Sequence, residues 1–403
     1  MKAVYFDKNI PRILAAKSLK KIWPGVVWTP ISPTGLEERE DPPLPGPRWL
    51  RVRNRQCGVC ATDLTLFYLN GDPRVSLAPL PGFQRVYLGH EAIGEVVEVG
   101  ADVERFKVGD RAVIMARPNG SPNCYTQEIN PKCQFCARGD TRLCENASLR
   151  MGPQGIGSGW ADTYTAHESE IWPVPDDLTD DQASLIEPMA VAVHGVLRKM
   201  PSSGDKVMVI GAGIIGLLTL QALKALAPES HVTIVVRYSH QAEAAERLGA
   251  DEIISDSGDI YAKAARITKA KYYQATLNRG MVLGGFEVIY DCVGDHFTLR
   301  DSLRLARANG AVVMVGTSLD ILKFDTSPIY FQEVDLIGSN TFGTEILNGR
   351  KLHTFDLVIE KQQEGSLTAD GLITHRIPFE DYRRAIKTAM DKRQGSIKVT
   401  LTF

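Results

Sequence analysis

Three groups of residues have the types and spacing to do chemistry. The first is Cys57-Gly58-Val59-Cys60-Ala61-Thr62-Asp63, with Gly89-His90-Glu91 further along the chain. Thiolate, imidazole and carboxylate are all zinc ligands, and a catalytic zinc takes three protein ligands and leaves one position for water or substrate. On residue types alone two readings stand: a small turn with buried thiols, or a metal site built on Cys60 and His90, with the Thr62 hydroxyl and Asp63 carboxylate nearby. The second group is Cys124, Cys133, Cys136 and Cys144. Four thiolates in one polar loop make a closed tetrahedral zinc site, with an iron–sulfur cluster as the alternative. The third is Gly211-Ala212-Gly213-Ile214-Ile215-Gly216. This G-x-G-x-x-G run supplies a tight turn, an open approach for a pyrophosphate and a close helix–strand contact.

The elements around these residues must position them. Val207 to Ile210 reads as a buried parallel strand, and Leu217 to Ala227 as a helix whose free N-terminal N–H groups suit a phosphate. Strands are expected at His231–Val236, 252–255, 286–292 and 311–316, with a helix over 241–248. This βαβ rhythm predicts a doubly wound parallel sheet. An acid at the end of its second strand would bond the ribose 2′-hydroxyl of NAD. No Asp or Glu lies between Glu229 and Glu243; Arg237, Tyr238 and Ser239 stand there instead. Guanidinium and hydroxyl suit a 2′-phosphate, so NADP is expected, with NAD as the alternative.

Outside that region the pattern is β-rich. Lys2–Phe6, Trp49–Arg55 and Ala161–Ala166 read as strands, Gly109-Asp110 as a hairpin turn and Glu187-Pro188 as a helix start, with His194 a packed helix residue. Gly152 to Gly159 reads as a flexible connection. Residues 8–36 show no clear period, nor do 261–285. Lys17, Lys20 and Lys21 read as a solvated face.

Composition sets the class. Hydrophobic residues at 44% and charged residues at 23% exclude wholesale disorder. A net charge of -2 without a basic run argues against a nucleic-acid or anionic-membrane footprint. No apolar stretch reaches the roughly 20 residues of a spanning helix, and the N-terminus has no long apolar core. A cytoplasmic location is expected, with reduced cysteines serving metal or catalysis.

Taken together, the Cys57–Asp63 run, Gly89-His90-Glu91, the four cysteines, Glu187-Pro188, the glycine fingerprint and Ser396-Ile-Lys398-Val make the chain resemble the zinc-containing medium-chain dehydrogenase/reductase family. The resemblance implies an α/β fold: a GroES-like β-rich catalytic domain split by an inserted Rossmann doubly wound parallel sheet. The catalytic domain would span 1–187, with its structural zinc lobe at 117–150, and return over 343–403; the Rossmann domain would span 188–342. The resemblance further implies a catalytic zinc on Cys60, His90 and Glu187, with Glu91 able to exchange as a ligand. Thr62 would begin a proton relay, Asp63 orient His90 and Lys398 approach the cofactor pyrophosphate. Thr65 stands at a relay position often occupied by His. The implied activity is hydride transfer between a secondary alcohol, of sugar, polyol or cyclitol type, and NADP(H), in a homodimer or homotetramer. The rivals are an NAD-linked simple alcohol dehydrogenase, a metal-free enone reductase and a catalytically silent nucleotide-binding protein. The last two would not need Cys60, Thr62, His90 and Glu187.

Overall fold

The computed structural model describes residues 1–75, 82–115, 122–150, 152–276 and 278–403, and divides into two compact units. The first comprises Met1–Glu187, Leu319–Ile321 and Ile373–Phe403. Its larger sheet runs Ile373–Pro378, Lys398–Thr402, Trp49–Gly58, Glu91–Val99, Arg111–Ile114 and Ile171–Pro173, and Thr163–His167 also pairs with Trp49–Gly58. Only the Ile373–Pro378 and Lys398–Thr402 pairing is parallel. A smaller sheet joins Thr34–Glu38, Lys2–Asp7 and Arg85–Tyr87. Alternation places Leu50, Val52, Val96 and Ala112 wholly inside, the leucine and valines each contributing roughly 1.5–3 kcal/mol on burial.

The second unit holds six parallel strands in the order Glu252–Ser255, His231–Val236, Lys206–Ile210, Phe286–Asp291, Ala306–Met314 and Asp335–Gly338. Val207, Met208 and Val209 are fully buried, as a strand covered on both faces requires. The strand order reverses beside Lys206–Ile210, so the glycine turn that follows lies at the switch point where such sheets bind ligands.

Four expectations change. Residues 8–36 fold into helix Ile10–Lys20, the turn Pro24–Trp28 and strand Thr34–Glu38. The helix buries only Ile13 and Ala16, too few to write a stripe. Residues 261–285 hold most of helix Ile260–Thr268 and the hairpin Lys271–Ala275 with Asn278–Leu283. Two of that helix's buried positions are Ala264 and Ala265, weak signals of a core face. The Gly152–Gly159 connection is tied down rather than loose: Gly159 N–H donates to Gly89 O at 3.0 Å, and Asn54 Nδ2 donates to Ser158 O at 2.9 Å. The return to the first unit starts at Ile373, not at 343. The hairpin Thr344–Leu347 with Arg350–His353 and helix Thr354–Gln363 stay with the second unit, held by Glu345 on His194 and Gln362 on Met189. His194 is buried there, as expected. The first residues of the 117–150 lobe lie outside the described set. No helix among the described residues is long and apolar enough to cross a membrane.

Candidate active site and cofactor site

Strand Trp49–Gly58 delivers Cys60 to the N-cap of helix Ala61–Phe67, where a thiolate meets the positive end of the helix. Thr62 Oγ1 donates to Cys60 Sγ at 3.2 Å. Asp63, one residue on, reaches the Gly89–His90 segment. Its Oδ1 accepts the Gly89 N–H at 3.1 Å and its Oδ2 lies 3.5 Å from His90 Nδ1. That carboxylate stands behind the ring, as one orienting a metal-ligating imidazole would. Burial opposes a charge on His90, yet Asp63 and Cys60 raise its pKa well above the ordinary value. Glu91 begins strand Glu91–Val99 directly across from Gly58.

Donor atoms of Cys60, His90 and Glu91 all lie within 4.8 Å of one another, a spacing that fits one zinc ion. Glu187 is not part of this compact set. It is buried in the first turn of helix Ile186–Arg198. Burial pushes its carboxyl up to about 7, while nearby His90 opposes the rise and Glu91 adds to it. Cys57 is fully buried and outside the set, and burial, with Asp63 and Glu91 nearby, raises its thiol.

Lys398 finds a carboxylate partner within the first unit. Its ammonium is buried inside the first unit and ion-paired to Glu91. The pairing requires Gly58, because a Cβ there would sit 2.1 Å from Glu91 Oε2 and 2.6 Å from Lys398 Cε. Glycine at this position was present in the motif, but its reason is visible only with strands Lys398–Thr402 and Glu91–Val99 on either side. Replacing Lys398 by Met leaves a buried carboxylate without its cation. We expect a loss of about 3 kcal/mol in urea unfolding of the metal-stripped chain; an unchanged midpoint would refute the pair's role.

Cys124, Cys133, Cys136 and Cys144 converge with all four sulfurs within 4.8 Å and no disulfide. Amide donors point at the sulfurs: Cys136 N–H to Cys133 Sγ at 3.4 Å and Asn146 Nδ2 to Cys124 Sγ at 3.3 Å. Such donors favour the thiolate form that a metal needs.

In the second unit the glycine fingerprint has the geometry its spacing implied. Gly211 takes φ +96°. A Cβ on Gly216 would lie 1.7 Å from Gly211 O, whereas one on Gly213 would meet nothing within 4 Å. Helix Ile214–Leu226 starts here with Gly213 at its N-cap, and no side chain caps its first N–H groups. Arg237 closes strand His231–Val236, Tyr238 stacks on His240 and Ser239 opens helix Ser239–Arg247. Arg237 is largely exposed, and its Nε pairs with Asp256 at 2.5 Å.

Fold and sites define a zinc-type, nucleotide-dependent oxidoreductase, and the comparisons agree. The alcohol dehydrogenase GroES-like domain family matches residues 46–176, and the zinc-binding dehydrogenase family matches residues 215–353. The chain is 28% identical over 352 residues to D-arabinitol dehydrogenase 1 of Uromyces fabae, covering 86% of this chain and 88% of that one. Among solved structures it is similar to 2R,3R-butanediol dehydrogenase from Bacillus subtilis, with TM-score 0.67, 27% identity, and 92% and 96% of the two chains covered. It is also similar to a zinc-binding dehydrogenase from Sinorhizobium meliloti 1021 bound to NADP, with TM-score 0.68, 26% identity, and 92% and 95% covered. The chain belongs to the zinc-containing medium-chain dehydrogenase/reductase family. It is an alcohol oxidoreductase of the zinc-dependent class, using zinc and a nicotinamide cofactor.

Proposed function

We propose that this enzyme moves a hydride between a secondary alcohol of sugar, polyol or cyclitol type and NADP(H). The observation that carries the reading is the convergence of Cys60, His90 and Glu91 within 4.8 Å, with Asp63 behind the imidazole. Cys60 and His90 would hold the catalytic zinc. Glu91 Oε2 is paired with Lys398, so Glu187 would complete the set with Glu91 able to exchange for it, and a nearby cation would relieve the cost of burying Glu187. The bound zinc supplies Lewis acidity that lowers the pKa of an alcohol, and the nicotinamide accepts the hydride. Thr62 would relay the alcohol proton, its hydroxyl accepting that proton as its own passes on to solvent: the hydroxyl beside Cys60 is part-exposed. Cys124, Cys133, Cys136 and Cys144 would hold a structural zinc. The D-arabinitol-acting relative supports a polyhydroxy substrate. Edge strand Asp335–Gly338 of the parallel sheet is the surface through which a homodimer or homotetramer would form.

NADP follows from Arg237 and Ser239 at the end of the second strand, where no acid stands. One observation favours NAD as a second reading: Asp256 already occupies Arg237 Nε. Rates with sugars, polyols, aminocyclitols and aliphatic alcohols, each with NAD and NADP, test both. Arg237→Asp is expected to lower kcat/KM for NADP about a hundredfold, since a charge-assisted contact is exchanged for repulsion against the 2′-phosphate, and to leave NAD less affected. Equal loss with both cofactors would remove Arg237 from the selection. Polyols oxidised no faster than ethanol would remove the substrate class.

A further inference from the structure

Helix Ala61–Phe67 carries Thr62 and Asp63 in its first turn, with Cys60 as its N-cap. It has only seven residues, about 10 Å of rise, and a helix this short does not hold its own direction. Its far end is held by the segment that sequence periodicity left without a role. Lys17 Nζ donates to Leu69 O at 3.2 Å and to Gly71 O. Lys20 Nζ donates to Tyr68 O and Asn70 Oδ1. Two ammonium groups thus meet the C-cap carbonyl of Tyr68 and the carbonyls of Leu69 and Gly71 just beyond it, at the negative dipole end of the helix, which corrects their reading as a solvated face. Leu69 lies at φ +53°, left-handed backbone that a side-chain-bearing residue adopts only when its surroundings enforce it. Trp28 covers the same end, with ring centroids 4.7 Å from Phe67 and 6.0 Å from Tyr68. Lys387 of helix Tyr382–Met390 lies over the Trp28 ring at 5.4 Å.

We propose that Lys17 and Lys20 are positioning residues: with Trp28 they clamp the C-terminal end of helix Ala61–Phe67 and thereby set the pose of Cys60, Thr62 and Asp63 at its start. The proposal rests on the zinc reading of that site. Displacements near 1 Å at a reacting centre can cost about a hundredfold in rate, so a loosened clamp shows in turnover before it shows in cofactor binding.

The test uses Lys17→Met and Lys20→Met together in the full chain, which keep the apolar stems and remove both ammonium groups. With the fastest alcohol of the panel, kcat is expected to fall about tenfold while KM for the nicotinamide cofactor and the two zincs per chain are unchanged. Lys17→Arg with Lys20→Arg should restore most of the rate, and Lys21→Met, at an exposed position, should match the parent. In protein loaded with Co2+ in place of zinc, the thiolate-to-cobalt absorption assigned to Cys60 by its loss in Cys60→Ser should shift in the double Met variant. Parental kcat together with a parental cobalt spectrum would overturn the clamp, even with a lowered melting temperature. Should the double variant fail to fold, Lys20→Met alone carries the same comparison. Absence of zinc-dependent turnover in the parent chain would instead overturn the functional reading, and a shifted cobalt spectrum would still support the clamp.

Discussion

Cys60→Ser is expected to lower kcat/KM for alcohol oxidation by about a thousandfold or more and to reduce bound zinc from two ions per chain to one. Lewis-acid stabilisation of a developing alkoxide amounts to several kcal/mol, and about 4 kcal/mol corresponds to a thousandfold in rate. The thiolate of Cys60 is irreplaceable because the other donors near it are engaged: Asp63 serves the Gly89 N–H and the His90 ring, and Glu91 is paired with Lys398. Serine keeps the size but not the soft, readily ionised sulfur. Cys57 supplies the control. It lies three residues away and wholly buried, with its Sγ turned to Gly58 O at 3.4 Å. Cys57→Ser should therefore retain both zincs and keep activity within about threefold, the effect of an indirect packing change of well under 1 kcal/mol. Full activity in Cys60→Ser with two zincs still bound would refute the site.

Cys136→Ser should unfold the four-cysteine lobe without abolishing nucleotide binding. Among the described residues the buried cluster in this loop consists of Cys124, Cys136 and Cys144, with Tyr125, Ile129, Cys133 and Ala147 packed against it. Little apolar area is buried there, so a bound zinc would supply the folding energy, about 10–16 kcal/mol for structural zinc at pH 7. Losing one of four ligands gives up most of it. Limited proteolysis should cut the variant within 122–150 at a protease level the parent resists, and elemental analysis should find one zinc fewer. Fluorescence titration with NADH and NADPH should still report nucleotide binding as in the parent, since the fingerprint belongs to a unit with its own core. A lobe that stays protected after zinc loss would show that hydrogen bonds such as Gln127 Nε2 to Asn146 O suffice without metal.

Much of this chain was legible before any coordinates because its chemistry depends on residue type at short spacing. Cys133 and Cys136 can share a metal only if close in sequence or brought close, and C-x2-C does so locally. Within six residues the φ of +96° at Gly211, the open space at Gly213 and the 1.7 Å approach of a Gly216 Cβ to Gly211 O each match a glycine of the fingerprint. The buried parallel strands were equally plain: Val207-Met208-Val209 is apolar because both faces of that sheet are covered.

Tertiary structure decided what depended on partners distant in the chain. Nothing in Ser396-Ile-Lys398-Val reveals that its lysine neutralises Glu91, since the two meet only through strands laid on either side of Gly58. The same holds for Lys17 and Lys20, whose acceptors lie about fifty residues ahead, and for Glu345, which holds residues after 343 to the second unit through His194. Sequence by itself determined the fold class and the family. Register and long-range packing determined which charges neutralise one another, because a buried carboxylate or ammonium must find its partner wherever the fold brings one.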